Sequence, residues 1–381
     1  MRILLAFFVA LIIILPHIVP SAAFSLPVSR RQFGAAVLVQ PPAAASSATN
    51  IGDNNVNTII YHPLSITVDG TQVPVAAWYP FRKLQNTDTL SSYSTYYEHR
   101  ISVSKIGKSL AGWNLPSFVD RNFSLQPSLG GTILSSSSRN MQLPTSVPVV
   151  LLAHGYLGSR FDLSHLGEAL ASAGFLVLSP EYPESLAASY DATNSITGVP
   201  IDRTLITNQL LKTLTNEWNV QPTTYGIVGH SLGCGTVDRT GDSTWTRVCL
   251  AGYPSMRGPN SLFVGSINDG AVSVSRAMDA LREYSFSTID EEMARAKSWG
   301  KFPSRAYLLF NNPRNAPNHI SFLSEETNEA MVEFLSPLLP LARFMSIPVL
   351  DFDKYQMSRD SVETGDVVIP LVVDYLKQMM T

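Results

Sequence analysis

Gly229-His230-Ser231-Leu232-Gly233 is the stretch of this chain best suited to nucleophilic chemistry. In G-x-S-x-G the serine sits on a sharp, strained turn, so the residues two before and two after must be small enough for backbone to pass backbone. The apolar run Tyr225 to Val228 precedes it and a helix is predicted after it. Such a turn lifts the Ser231 hydroxyl above a sheet. It also puts the Leu232 backbone N–H at a helix N-terminus, where negative charge is stabilised. An ordinary Gly-rich turn is the plainer alternative for the pentapeptide alone, so the assignment depends on partners.

A serine hydroxyl is a poor nucleophile near neutral pH and needs a base, itself oriented by a carboxylate. In parallel sheets with this turn the partners follow in the order serine, acid, histidine. Asp269 fits the acid: it lies in Ser266-Ile267-Asn268-Asp269-Gly270, just past the strand-like Leu262 to Gly265. An Asx turn is its plainer reading. Asp290 is the reserve, although it reads as a helix cap, and Asp238 and Asp242 come too soon after the serine. Of the seven histidines only His319 lies downstream of Asp269, after the strand-like Ala306 to Phe310. His17 belongs to the N-terminal segment, His62 and His99 precede the first central strand, and His165 falls on a helix. His154 and His230 flank the turns themselves.

A tetrahedral intermediate needs two N–H donors, and losing one typically costs roughly 2.7–4 kcal/mol. Leu232 supplies the first. The turn His154-Gly155-Tyr156 supplies the second through the Tyr156 N–H, with His154 locking the turn by hydrogen bonding.

The elements that must hold these groups alternate. Val147 to Ala153 reads as a strand covered on both faces, followed by a helix carrying Leu163, Leu166 and Leu170, then a strand from Phe175 to Leu178. A helix through Ile206, Leu210, Leu211 and Leu214 leads to the strand that enters Ser231. This is the pattern of a doubly wound α/β fold with a mostly parallel central sheet. Before it, Thr58 to Tyr79 reads as a hairpin turning at Asp69-Gly70. Residues 81–146 read as an irregular insertion, with a modest helix from Ile101 to Leu110 and a glycosylation sequon at Asn122. After the serine, strands are expected at Arg247 to Ala251 and Ser261 to Gly265. Helices are expected around Ser275 to Tyr284, Ile289 to Trp299 and Val367 to Met380.

The 381 residues suit one large domain, and 45% hydrophobic against 15% charged residues allow a substantial core. A net charge of −3 gives no footprint for nucleic acid. The two cysteines, Cys234 and Cys249, make no disulfide framework and no zinc spacing, and Cys234 reads as a small packing residue. No cofactor or metal is expected, and the sequence leaves the oligomeric state open.

The first 50 residues are set apart from the domain at 51–381 as a presequence. Arg2, the apolar run Ile3 to Leu15 and Ser21-Ala22-Ala23 have the layout of a signal peptide, with a membrane anchor as the lesser alternative. No acid then occurs before Asp53, which suits a transit peptide. The junction Ala22-Ala23-Phe24-Ser25 resembles the bipartite presequence of algae with secondary plastids, which have a phenylalanine at the cut. Ser29-Arg30-Arg31-Gln32-Phe33 is similar to a twin-arginine signal, with Ala43-Ala44-Ala45 as a further cut. A plastid destination, thylakoid-associated or lumenal, is therefore expected, with secretion as the alternative.

From about Val73 onward the chain resembles the α/β-hydrolase superfamily. Within it the likeness is to platelet-activating-factor acetylhydrolases, dienelactone-hydrolase-like esterases and chlorophyllases. His154-Gly155-Tyr156-Leu157 with Ala171-Ser172-Ala173-Gly174-Phe175 is similar to chlorophyllases and acetylhydrolases alike. Asn318-His319-Ile320-Ser321-Phe322 resembles the acetylhydrolase segment around the catalytic histidine. Land-plant chlorophyllases usually have arginine after the serine and glycine two positions further on, where this chain has Leu232 and Cys234. The resemblance implies a Ser231, Asp269, His319 triad with Tyr156 and Leu232 as oxyanion donors. It implies a serine carboxylic ester hydrolase with an apolar ester substrate. A chlorophyllase cleaving the phytyl ester, with peripheral thylakoid contact, stands first. A phospholipid or small-lipid esterase is the alternative, and a noncatalytic binding protein is a distant third. Phe334 to Leu341 is a candidate apolar wall of the substrate entrance.

Overall fold

A computed structural model describes residues 59–80, 97–111, 116–117, 120–128, 133–135, 143–192, 196–255, 257–280, 286–293, 301–335 and 358–380. By its internal contacts the chain divides into Met1–Asn55 and Val56–Thr381, and all described residues belong to the second unit. The presequence, and residues 336–341 of the expected apolar wall, lie outside the described residues.

The hairpin forms as read: β1 (Ile59–Val68) pairs antiparallel with β2 (Thr71–Pro80), and Asp69 and Gly70 both adopt positive φ at the turn. Next come β3 (Tyr97–Ile101), α1 (Val103–Ala111), β4 (Arg121–Leu125) and β5 (Ile133–Ser135). The alternating core is β6 (Ser146–Ala153), α2 (Ser164–Ser172), β7 (Leu176–Pro180), α3 (Arg203–Asn216), β8 (Gln221–His230) and α4 (Gly233–Arg239). After it follow β9 (Thr246–Leu250), β10 (Ser261–Ser266), α5 (Val274–Ala280), β11 (Ser287–Thr288) and β12 (Arg305–Phe310). A 3-10 turn (His319–Phe322), α6 (Glu325–Leu335) and α7 (Ser361–Met380) complete the described chain.

Ten strands make one sheet in the order β11-β12-β10-β9-β8-β6-β7-β2-β1-β5. Every strand runs the same way except β2, which is antiparallel to both β1 and β7. The chain leaves β6 for β7 on one side and returns to β8 on the other. The order therefore reverses at the β6–β8 boundary, where open α/β sheets form their binding crevice.

Side chains alternate across this sheet, as the pleat requires. Val150 and Leu152 of β6 join Trp78, Leu166 and Leu170 on the face covered by α2 and α7. Val149 and Leu151 join Ile206, Leu210 and Val237 on the face covered by α3 and α4. The last turn of α7 rests directly on β8: a Cβ on Gly226 would lie 2.7 Å from Met380 Sδ, and Thr224 Oγ1 donates to the Met380 carbonyl at 3.0 Å.

Three expectations change. Residues 81–146 are not wholly irregular: β3 and β4 pair as a second sheet, and β5 extends the main sheet beside β1. Tyr97 ties the small sheet to the core, its hydroxyl accepting from Trp78 Nε1 at 3.0 Å and donating to Glu168 at 2.8 Å. Asn122 is exposed on β4. The final helix begins at Ser361, six residues before the expected Val367, with Asp360 accepting the Glu363 N–H at its start. Pro370 thus lies within the helix rather than in its first turn. Finally, Cys234 is more than a packing residue, since it is joined to Cys249 by a disulfide that fastens α4 to β9.

Candidate active site

Ser231 has φ 55°, a left-handed conformation that a non-glycine residue adopts only under constraint. The constraint comes from both flanks. A Cβ on Gly229 would stand 2.5 Å from the Gly233 carbonyl, and one on Gly233 would stand 2.0 Å from the Ala153 carbonyl oxygen. Backbone packs on backbone at both positions, so glycine is required. The Ser231 N–H donates to the Leu250 carbonyl at 3.0 Å, which anchors the turn to β9.

Asp269 follows β10 and His319 follows β12, so both sit at the same sheet end as Ser231. His319 Nδ1 lies 2.9 Å from Asp269 Oδ2, and its Nε2 lies 2.9 Å from Ser231 Oγ. A carboxylate only accepts, so the proton is on Nδ1 and Nε2 is free to accept from the serine. The other Asp269 oxygen accepts the N–H groups of Ala271 (2.9 Å) and Val272 (2.7 Å), which fix the carboxylate in place. Asp290 is instead an exposed residue in the helical turn that begins at Ile289. Thr288 caps that turn by accepting the Glu291 N–H at 3.1 Å.

The loop carrying the histidine is pinned at several points. Asn318 and Ser321 form a reciprocal capping box around it. Ser266 Oγ donates to the Pro317 carbonyl at 2.5 Å, and Asn268 Nδ2 reaches the Pro313 and Ala316 carbonyls at 3.0 Å each. The residues next to the acid therefore hold the loop of the base.

The turn after β6 faces the serine: a Cβ on Gly155 would lie 3.1 Å from Ser231 Cβ. His154 locks it, its Nδ1–H donating to the Gly155 carbonyl at 2.8 Å while Nε2 accepts the Tyr182 N–H at 2.9 Å. Burial and the nearby Arg203 charge hold His154 well below the ordinary histidine pKa. It is neutral, as its two opposite hydrogen-bonding roles require. Among the described residues, neither the Tyr156 nor the Leu232 N–H finds an acceptor within the protein. Two free donors beside an activated hydroxyl can receive the oxygen of a tetrahedral intermediate.

Sequence reading missed two features here. Arg203 is buried behind the oxyanion turn, and a cation in the first turn of a helix, opposed to its dipole, was the available signal. Asp162 is buried beside it and accepts the Ser159 N–H at 2.9 Å, and burial raises its pKa to about 7. No spacing rule marks Asp162. Among the described residues no group of His, Cys, Asp and Glu is arranged to hold a metal ion.

A sheet reversed only at β2, a strained serine after β8, an acid after β10 and a histidine after β12 define an α/β-hydrolase. Residues 125–221 match the family described as platelet-activating factor acetylhydrolase, isoform II. The matched part contains the oxyanion turn and stops at the start of β8. A ferulic acid esterase from Streptomyces cinnamoneus is 17% identical, covering 85% of this chain and 90% of its own, with a TM-score of 0.43. A dienelactone hydrolase-like promiscuous phosphotriesterase from metagenomic libraries is 16% identical, covering 84% and 98%, with a TM-score of 0.41. An esterase of Pyrococcus furiosus is 13% identical, covering 73% and 91%, with a TM-score of 0.33. No curated protein sequence matches the chain.

Proposed function

We propose that this serine esterase hydrolyses carboxylic esters of lipids. The observation that carries the reading is the Ser231–His319–Asp269 hydrogen-bonded chain beside two free N–H donors. Ser231 Oγ attacks the ester carbonyl carbon as its proton passes to His319 Nε2. The carbonyl oxygen takes the negative charge against the Tyr156 and Leu232 N–H groups. The carbon–oxygen bond then breaks, and the alcohol leaves with the proton from His319. Water attacks the acyl-enzyme, giving its proton to the same Nε2. The acid departs and Ser231 recovers its hydrogen. Asp269 accepts the Nδ1–H throughout and stabilises the imidazolium.

A lipid substrate is supported by the rim of the site. Tyr156, Leu232, Tyr253 and Ile267 are large apolar residues left exposed on the loops after β6, β8, β9 and β10. They lie at the same end of the sheet as the nucleophile and are suited to contact acyl or alkyl chains. The sequence ranked the phytyl ester of chlorophyll first. The family match over the oxyanion turn favours a phospholipid or small-lipid ester, so we put that reading first. Chlorophyll is the second reading, which the same rim accommodates. The disulfide supports a destination in an oxidising compartment, either a thylakoid lumen or the outside of the cell.

The test offers the purified chain a short-acyl glycerophospholipid, a nitrophenyl acetate and chlorophyll side by side. The expected result is hydrolysis of the first two, with the higher kcat/KM on the phospholipid, and loss of all turnover in Ser231→Ala. Release of chlorophyllide at a higher kcat/KM than either would install the chlorophyll reading instead. No turnover of any ester would overturn both.

A further inference from the structure

Arg203 is 4% exposed and opens α3, yet its guanidinium points away from the helix into the oxyanion turn. Nη1 donates to the His154 carbonyl at 2.9 Å and to Thr236 Oγ1 at 3.3 Å, and Nη2 donates to the Gly155 carbonyl at 3.3 Å. Nε donates to the Glu184 carboxylate at 3.0 Å, and the guanidinium lies 4.5 Å over the Tyr182 ring. The side chain is thus clamped by Glu184 and Tyr182 while it holds two successive carbonyls.

The consequence follows from peptide geometry. The Gly155 carbonyl and the Tyr156 N–H belong to one peptide unit. In a trans peptide they point in opposite directions, and no cis bond occurs among the described residues. Arg203 and the His154 ring both donate to that carbonyl. The N–H is therefore turned the other way, toward the side on which Gly155 approaches Ser231. A cation on the carbonyl also polarises the peptide, which strengthens its N–H as a donor. Stability alone gives little reason for a charge here, because a buried ion pair is often matched or exceeded by apolar residues of the same volume.

We propose that Arg203 is a positioning residue for ester hydrolysis: it aims the Tyr156 N–H and sets its donor strength by holding the Gly155 carbonyl. This rests on the reading of Tyr156 as the second oxyanion donor.

The test compares full-length wild type, Arg203→Met, Arg203→Lys and Glu184→Gln on a nitrophenyl ester, with a trifluoromethyl ketone as the inhibitor whose hemiketal carries an oxyanion. Arg203→Met is expected to lower kcat about 100-fold, the scale of a lost oxyanion donor, while KM changes less than threefold. The ketone should bind more weakly by the factor lost in kcat/KM. Arg203→Lys, which keeps the charge but not the fork, should fall between the two. Glu184→Gln leaves the guanidinium in place but loosens it, and a loss of several-fold in kcat is expected. A lower Tm with kcat and ketone affinity unchanged would reduce Arg203 to a structural role and overturn the proposal. If Arg203→Met fails to fold, Glu184→Gln decides: unchanged kcat and ketone affinity there also overturn it. Wild-type turnover separates the two questions, since an inactive wild type sinks the esterase reading whatever the variants do.

Discussion

His230 donates from Nε2 to the backbone carbonyl of His319 at 3.0 Å, and the two rings lie 4.8 Å apart. The residue before the nucleophile therefore holds the main chain of the base, so Ser231 and His319 are fixed by neighbouring atoms of one strand end. Burial, aided by the neighbouring His319, drives the His230 pKa down to about 3. The ring is neutral, and its single proton serves this bond. His230→Phe keeps a ring but leaves a buried carbonyl unpaired, which costs about 1–3 kcal/mol. Urea unfolding should show that loss, and kcat should fall about tenfold through looser placement of His319. Unchanged kcat would show that the base is held without His230.

The three members of the hydrogen-bonded chain should act as a unit. Ser231→Ala and His319→Ala are each expected to lower ester turnover by several orders of magnitude, with little further loss in the double variant. Asp269→Asn should be severe but milder. Asp290→Asn should leave kcat/KM unchanged, because Asp290 is exposed on a separate helical turn. Loss of activity in Asp290→Asn with retention in Asp269→Asn would reverse the assignment of the acid.

Stability should rise from acid toward neutral pH, where several histidine titrations outweigh one opposed carboxyl titration. Burial lowers His99 and His230 from 6.5 to about 3 and His165 to about 4, and it lowers His154 in the same direction. The unfolded chain takes up these protons first. Their contribution is thus complete above pH 6.5 and is lost as pH falls toward 3–4. Asp162 is raised from 3.8 to about 7, so its contribution is complete below pH 3.8 and is lost as pH rises through about 7. Tm measured against pH should rise from about pH 4 to a maximum near 6.5 and drop slightly as Asp162 finishes ionising at about 7. His165→Leu should flatten the rise of Tm between pH 4 and 6.5, and Asp162→Asn should steepen it, because Asp162 opposes the histidines over that range. A Tm that is level from pH 4 to 6.5 would contradict the histidine argument.

The Cys234–Cys249 bond closes a loop of 15 residues, which the chain-entropy scale values at about 3 kcal/mol. Cys234→Ala with Cys249→Ala is expected to lower unfolding free energy by that order. Reductant should produce the same loss in wild type and none in the double variant. Mass spectrometry of protein recovered under alkylation would check the bond directly, and two alkylated thiols would show that it is absent in the cell.

The parallel part of the fold was legible because its strands are buried on both faces and read as plain apolar runs. Val147 to Ala153 and Ala306 to Phe310 were placed within a residue of their observed limits. β3 was missed because its five residues, Tyr97-Glu98-His99-Arg100-Ile101, bury a histidine at the centre of the inward face. The alternation is present but disguised by charge. Pro370 misled the reading of the last helix, since proline is normally found in a first turn. Spacing named Ser231, Asp269, His319, Tyr156 and Leu232, and the structure brings all five to one end of the sheet. Asp162 was not legible, since no spacing rule marks it, and Arg203 left only the faint signal of a cation in a helix first turn, because its role lies in the His154 and Gly155 carbonyls that it holds. The disulfide needed the third dimension: α4 and β9 are neighbours only once the sheet exists.

The seat of the last turn of α7 on β8 has a consequence for synthesis. The strand that ends in His230 is covered by Leu376 and Met380, and the Thr224–Met380 bond joins residues 156 positions apart. A ribosome makes the nucleophile strand long before it makes that cover. Domains fold as units, so the strand behind the serine is expected to wait uncovered until α7 has been made.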